Sequence, residues 1–448
     1  MADVIAGIST AMQKGGIAVI RLSGDDAFCV ADKVFKGKIK TEDSESHRIL
    51  YGYVYDGEER IDECLCSVMR APKSYTTENV VELSVHGGII SAKRTLEAVI
   101  KAGARAAKAG EFTMRAFLNG RIDLSKAEAV ADIIDSKTDL ARSTAVNQLS
   151  GKLSDGINEI REKIIEIMGY ISVATDFPDE DADSLSGIDI KLGLSIIKEK
   201  TEKLIKNADK GIILREGAVC AICGKPNAGK SSLLNELAGT ERAIVTEIEG
   251  TTRDIIEEYV NIYDIPVRLA DTAGIRDDGD TVEKIGIEKA REYVKNADIC
   301  LFVTDNGRSF DENDSEILEL VKEKPHITVV NKSELSGKCE IPEDEKAIYI
   351  SVKEKTGIEE LKKKIYELLM GNDFTEDAVM ITNERHKEAA IMADKALGEA
   401  LSLLEGGFTE DLAYINLEKA VTHLGEITGM TVSEEVMSEV FSKFCVGK

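Results

Sequence analysis

Apolar positions along this chain change period along its length, and each change predicts a change of architecture. Through about residue 118 short alternating runs dominate: Gly16–Gly24, Ile49–Asp56, Glu63–Met69 and Val80–Gly88 read as strands bounded by glycine or turn residues. Helices are expected between them at Asp25–Phe35 and Ile89–Lys101, making a compact α+β domain. From Asp123 the period becomes helical. Leu153, Ile157, Ile160, Ile164, Ile167 and Ile171 recur at spacings of four and three, an apolar seam on one helix face. After Asp176-Phe177-Pro178-Asp179, the residues Leu192, Ile196, Ile197, Leu204 and Ile205 restart a helix that runs to about Ile213. The acidic run Asp176–Asp183 between them reads as a solvated connection.

From 215 to about 370 short apolar strands alternate with helices, the pattern of a mostly parallel α/β sheet, and from Ile381 the chain is helical again. The expected organisation is an α+β domain at 1–118, a helical domain at 119–213 resumed at 373–448, and an α/β domain inserted at 214–372. Insertions favour exposed loops whose ends lie close together.

The strand Gly217–Cys223 runs into Gly224-Lys225-Pro226-Asn227-Ala228-Gly229-Lys230-Ser231, which fits G-x-x-x-x-G-K-[ST], and Ser232–Leu237 opens a helix. Glycines there let consecutive N–H groups approach a phosphate at a helix N-terminus. Lys230 is placed to reach the β/γ-phosphates and Ser231 to ligate Mg²⁺.

Further signals follow in order. Gly250-Thr251-Thr252-Arg253-Asp254 offers a switch threonine for Mg²⁺. Leu269–Gly274 ends in Asp271-Thr272-Ala273-Gly274, with Asp271 the Walker-B acid and the Gly274 N–H open to a γ-phosphate. Ile327–Glu334 is a strand ending in Asn331-Lys332-Ser333-Glu334, a base-reading loop, and Ile350-Ser351-Val352-Lys353 fits the last guanine-contacting loop. Together they predict a Ras-like GTPase domain.

Two positions depart from the usual pattern. Glu334 replaces the aspartate that accepts guanine's N–H groups; the carboxylate is kept, but its reach grows by one methylene. Ile275 stands where Ras-type proteins place a water-orienting glutamine, and an apolar side chain cannot orient water. Arg276, Asp277, Asp278 and Glu283 are the candidates that remain, and a monovalent cation held partly by Asn227 can substitute for an arginine finger.

Composition narrows the setting. Hydrophobic residues make up 43% and charged ones 31%, as in a globular protein with sizeable cores. Fifty-seven basic against 82 acidic residues give −25, which argues against a broad sequence-independent grip on nucleic-acid phosphate. The eight cysteines are scattered; Cys220 and Cys223 fall inside an apolar strand and read as small buried hydrophobes, not a zinc site. No export signal and no apolar run of membrane length is evident, so a cytoplasmic protein is expected. His86 sits at a strand end, where a structural role outweighs a functional one.

These motifs, with Ala116–Leu124, Asp176–Glu180 and the tail Phe444-Cys445-Val446-Gly447-Lys448, resemble the bacterial tRNA modification GTPases of the MnmE (TrmE) family over essentially the whole chain. The resemblance implies a homodimeric, K⁺-dependent GTPase activated by G-domain dimerisation, with a one-carbon tetrahydrofolate (5-formyl or methylene) in its N-terminal domain. With the FAD-dependent partner MnmG (GidA), in a heterotetramer, such proteins build a carboxymethylaminomethyl or aminomethyl group at carbon 5 of the tRNA wobble uridine.

By similarity, Asn227, Thr246, Ile248 and Thr251 ligate K⁺, Ser231 and Thr252 ligate Mg²⁺, and Glu283 positions water, with Lys230 and Asn227 also catalytic. Nucleotide contacts extend over Asn227, Ala228, Gly229, Lys230, Ser231 and Ser232, then Thr246, Glu247, Ile248, Glu249, Gly250, Thr251 and Thr252. They continue at Asp271, Thr272, Ala273, Gly274, Asn331, Lys332, Glu334, Ser351, Val352 and Lys353. Arg21, Glu82, Arg121 and Lys448 match the family's folate positions; the cations balance folate's carboxylates and Glu82 meets the pterin's donor edge. Without the resemblance, Arg21 and Arg121 read as solvated surface charges. Cys445 reads equally as a reactive thiol or as a small tail residue packed on the N-terminal domain. A ribosome-assembly GTPase predicts a basic RNA-binding flank, which is not seen; a mechanical GTPase leaves the tail unexplained.

Overall fold

A computed structural model describes residues 3–176, 190–240, 258–271, 291, 293–337, 339–371, 374–375 and 378–447. The chain divides into two compact units, Met1–Ala131 with Gly425–Lys448, and Asp132–Leu424.

The first unit is built on a seven-stranded sheet of order β3-β4-β5-β6-β2-β1-β7, with β1 Ile5–Ile8, β2 Ile17–Ser23, β3 Phe35–Gly37, β4 Arg48–Asp56, β5 Glu59–Met69, β6 Val80–His86 and β7 Arg105–Ala106. All pairings are antiparallel except β1 with β7. Alternation decides the faces. Ala18, Ile20 and Leu22 of β2 and Val81, Leu83 and Val85 of β6 are buried under helices α1 Ala27–Val34 and α2 Ile89–Lys101. Arg21 and Glu82 point to the opposite face and are direct cross-strand neighbours. The expected first helix reached Phe35; that residue instead begins β3, and its side chain is 4% exposed.

Helix α3 Glu111–Leu118 follows the sheet, and α4 Leu124–Asp135 packs with residues of the C-terminal segment: Leu124 and Ala127 share a core with Val440, Phe441 and Phe444. The last residues then pair with the sheet unit. Val446 bridges Ala109, and the Ser9 hydroxyl donates to the Gly447 carbonyl at 2.9 Å.

In the second unit α5 Asp139–Ser150 leads to α6 Lys152–Asp176, whose seam is fully internal: Leu153, Ile157, Ile160, Ile164, Ile167 and Ile171 are all buried. Helix α7 Ile190–Glu216 buries Leu194, Ile197, Thr201, Leu204, Ala208, Gly211 and Leu214. Of the residues expected to restart a helix here, Ile197 and Leu204 are buried while Leu192 and Ile196 are exposed, and the buried stripe also passes through a threonine and a glycine. Gly211 is required there: a Cβ would stand 2.1 Å from the Ile381 carbonyl oxygen. The ion pairs Lys198–Asp394 (2.9 Å) and Lys387–Asp209 (2.6 Å) tie α7 to the later helix Glu384–Glu405. Beyond Asp176, the acidic run lies outside the described residues.

Between these helices lies a six-stranded sheet of order β13-β12-β11-β8-β10-β9: β8 Ala218–Cys223, β9 Glu258–Ile262, β10 Ile265–Asp271, β11 Ile299–Asp305, β12 His326–Asn331 and β13 Ala347–Tyr349. All pairs are parallel except β9 with β10. Central β8 is flanked by β10 and β11, so connections diverge at its C-terminal end, where parallel sheets bind ligands. The fold class is as expected: a P-loop GTPase domain inserted into a helical one and preceded by an α+β domain. Cys220 and Cys223 are buried in β8. Burial, then neighbouring Cys300, pushes the Cys223 thiol up to about 12, so it is an inert core side chain.

Candidate functional site

Helix α8 Lys230–Thr240 starts directly after the phosphate loop at the end of β8. Gly224 (φ 148°) lies so close to β11 that a Cβ would stand 2.1 Å from the Val303 carbonyl oxygen. Asn227 adopts the left-handed conformation at φ 63°, a region asparagine tolerates better than most residues. Lys230 is 8% exposed and folds back over the loop, donating to the carbonyls of Gly224 (2.7 Å) and Lys225 (2.8 Å). Ser231 and Ser232 present their side chains to solvent in the first turn of α8. The loop thus meets a helix N-terminus with one ammonium folded over it, a setting that suits a polyphosphate.

The base-reading loop is tied to this ring. Buried Asn331 donates from Nδ2 to the Ala228 carbonyl at 3.0 Å and accepts the Val352 N–H at 3.4 Å. Lys332 donates to the Asn227 carbonyl at 3.0 Å and to Asp305 at 2.6 Å. Gly229 closes the joint, since a Cβ there would fall 2.1 Å from Asn331 Nδ2. Glu334 supplies the telling atom: its Oε2 is shielded from solvent and has no hydrogen-bond partner among the described residues. The Ser351 hydroxyl, then Glu334's own N–H, hold this carboxyl below the usual carboxylate range, so it is an ionised acceptor. A shielded, unsatisfied carboxylate oxygen is costly unless a ligand N–H meets it. Guanine, with two adjacent N–H donors, fits it.

The first unit holds a second cluster. Arg21 Nε donates to Glu82 at 2.8 Å, while its Nη1 is buried with no partner among the described residues. Its guanidinium carbon lies 5.3 Å from the Tyr75 ring centre and 5.6 Å from that of Phe112. Arg121 stacks on Tyr75 at 4.9 Å and donates to the Tyr75 carbonyl at 3.0 Å. Arg21 is therefore not a solvated surface charge: its side chain is 14% exposed. The tail reaches the same unit through Gly447, whose Cα would touch a Cβ on Gly7 at 3.4 Å, beside Phe112 at 3.3 Å. Cys445 is exposed, so the tail packs through Phe444 and Gly447 rather than through its cysteine.

Family profiles match nearly all of these residues: "GTP-binding protein TrmE N-terminus" over 4–121 and "MnmE helical domain" over 124–445. The chain belongs to the MnmE (TrmE) family. It is 47% identical to the tRNA modification GTPase MnmE of Acetivibrio thermocellus over 455 residues, covering 100% of this chain and 99% of that relative. The MnmE proteins of Clostridioides difficile (45% over 456 residues) and Thermoanaerobacter pseudethanolicus (47% over 459 residues) match over the same shares. Among solved structures, an Aquifex aeolicus Era variant bound to GDP and AlF4⁻ is 30% identical, covering 40% of this chain and 66% of its own at a TM-score of 0.27.

For this MnmE-family chain the structure gathers Asn227, Ala228, Gly229, Lys230, Asn331, Lys332, Glu334, Ser351 and Val352 at one end of the sheet, with Lys353 exposed just beyond. Asp271 ends β10, and its side chain is outside the described residues. Thr246, Glu247, Ile248, Glu249, Gly250, Thr251, Thr252, Thr272, Ala273, Gly274, Ile275, Glu283 and Lys448 also lie outside them. Asp305, Tyr75 and Phe112 were missed from the sequence. Nothing local marks them, since each acts through a partner distant in the chain. His86 does sit at a strand end, its Nδ1 2.7 Å from Asp62. Among the described residues there is no cluster of metal-binding side chains, and no helix is long and apolar enough to cross a membrane.

Proposed function

We propose that this protein is a GTPase acting in tRNA wobble-uridine modification, with GTP in the cradle between Gly224–Ser232 and Asn331–Lys353. The observation that supports this most is Glu334 Oε2, shielded and unsatisfied beside a phosphate loop already bound to the base-reading loop. Lys230 leaves the carbonyls of Gly224 and Lys225 for the β/γ-phosphates, a substitution of one charge-assisted bond for a stronger one. Ser231, with Thr252, holds Mg²⁺. Asn227, with Thr246, Ile248 and Thr251, holds K⁺, which neutralises charge that a Ras-type arginine finger would meet. Glu283 orients the attacking water in place of a glutamine.

The Arg21–Glu82 cluster is the tetrahydrofolate site. Because the two side chains are paired at 2.8 Å, they read one end of the ligand rather than opposite ends. A pterin presents N–H donors next to a carbonyl, so Glu82 accepts from the donors and the Arg21 Nη1 donates to the oxygen. The tail carboxylates then fall to Arg121 and Lys448. The chain acts as a homodimer with an FAD-dependent MnmG-type partner, arranged as domains 1–118, 119–213 with 373–448, and 214–372.

GTP turnover measured in KCl and in NaCl tests the reading. Stimulation by K⁺ at least tenfold over Na⁺ is expected, and equal rates would remove the cation from the mechanism. Glu283→Ala is expected to lower kcat while leaving GTP affinity nearly intact.

A further inference from the structure

We propose that Asp305 is a positioning residue that couples base reading to the cation-holding loop by fixing Lys332 against the Asn227 carbonyl. The proposal rests on the GTPase reading above and extends it to a residue at the end of β11. Strands β11 and β12 are parallel with Asp305 opposite Asn331, so Asp305 stands beside the base-reading loop before any side chain is considered. The Asn306 N–H donates to the Asn331 carbonyl at 2.9 Å and locks that register.

Both carboxylate oxygens of Asp305 are engaged. Oδ1 accepts the Gly307 N–H at 2.7 Å, and Oδ2 accepts Lys332 Nζ at 2.6 Å. The carboxylate therefore cannot rotate away, and the ammonium is held on one side. From there Lys332 donates to the Asn227 carbonyl at 3.0 Å. Asn227 is the non-glycine residue of the phosphate loop with positive φ, so few backbone conformations are open to it. Holding the carbonyl restrains the backbone from which the Asn227 side chain departs. Lys332 is itself left-handed at φ 61°, a conformation that persists only when surrounding contacts determine it. Nearby Arg308 is engaged with Asp314, at 2.6 Å from its Oδ1, and does not compete for Asp305.

Neutralising Asp305 leaves Lys332 without its carboxylate, and the ammonium no longer stays over the Asn227 carbonyl. Base affinity and cation affinity should then fall together.

The test is a double-mutant cycle of Asp305→Asn and Lys332→Met in the full chain, reading GTP affinity and the K⁺ concentration that half-activates hydrolysis. Asp305→Asn is expected to weaken GTP about tenfold, as loss of a hydrogen bond between charged groups implies, and to raise half-activating K⁺ severalfold. In the Lys332→Met background, Asp305→Asn should change neither. Equal effects in both backgrounds would overturn the proposal. So would an unmoved K⁺ response accompanied only by a lower melting temperature. Asp305→Glu keeps the carboxylate and should recover most of the K⁺ response. If the unmutated protein shows no K⁺ stimulation, the cation reading fails on its own, and the GTP arm of the cycle decides the role of Asp305.

Discussion

Replacing Gly447 by alanine should release the C-terminal tail and weaken folate binding without touching the GTP site. Gly447 sits at φ 99°, and a Cβ built on it would stand 2.1 Å from the Ile8 carbonyl oxygen and 3.0 Å from the Ser9 Cα. Both neighbours are backbone, so neither yields cheaply. The left-handed conformation costs a residue with a Cβ about 1–2 kcal/mol. Displacing the tail also forfeits the 2.9 Å bond from Ser9 to the Gly447 carbonyl, worth about 1 kcal/mol. Docking of the last residues is then disfavoured by about 2–3 kcal/mol, and on the proposed folate reading the terminal cation is lost from the ligand. At 1.4 kcal/mol per factor of ten, folate affinity falls by up to roughly 30- to 150-fold. Calorimetric titration with 5-formyltetrahydrofolate reads the loss directly, with limited proteolysis reporting tail release and GDP binding as the control. A tail that stays protected would refute the steric argument. A released tail with folate Kd unchanged within about twofold would refute its part in the site.

Three further outcomes are expected. Gly229→Ala drives a methyl into Asn331 Nδ2, breaking the 3.0 Å bond to the Ala228 carbonyl; GDP affinity by fluorescent-analogue titration should fall at least about tenfold. In the Asp62–His86 pair, the hydrogen bond that His86 Nδ1–H donates to Asp62, and then the Asp62 charge, raise the His86 pKa. The pair is therefore fully formed below the ordinary histidine value of about 6.5 and fades as pH rises through the raised one; NMR titration should place His86 above a reference peptide, and Asp62→Asn should bring it back. Ile164 is 0% exposed in α6, so Ile164→Ala should cost about 2–5 kcal/mol in denaturant unfolding; a loss below about 0.5 kcal/mol would mean the seam is not core.

Regular patterns were the legible part of the fold. The α6 seam is carried by large aliphatic residues at every buried turn, and α2 is bounded by Gly88 and by the turn at Ala102, so both could be read directly. The α7 helix was legible, but its buried face was not, because Thr201 and Gly211 bury without looking apolar, while exposed Leu192 and Ile196 do. Strand β1 carries Ala6 and Gly7 within four residues, too small a signal for period two. The phosphate loop was legible because its chemistry is consecutive. The Tyr75 stack and the Asp305–Lys332 link were not, because they join strands, loops and helix ends that only the sheet order brings together. Glu334 was visible as a departure; that one of its oxygens is held unsatisfied is a property of packing.

The proposed role of this protein requires that a GTP cycle be coupled to a modified wobble uridine. Mass analysis of tRNA nucleosides from cells lacking this chain measures that coupling. Loss of the carbon-5 aminomethyl-type uridine is predicted, restored by the intact gene but not by one encoding Gly229→Ala. Wobble uridines unchanged by the deletion would contradict a role in their modification.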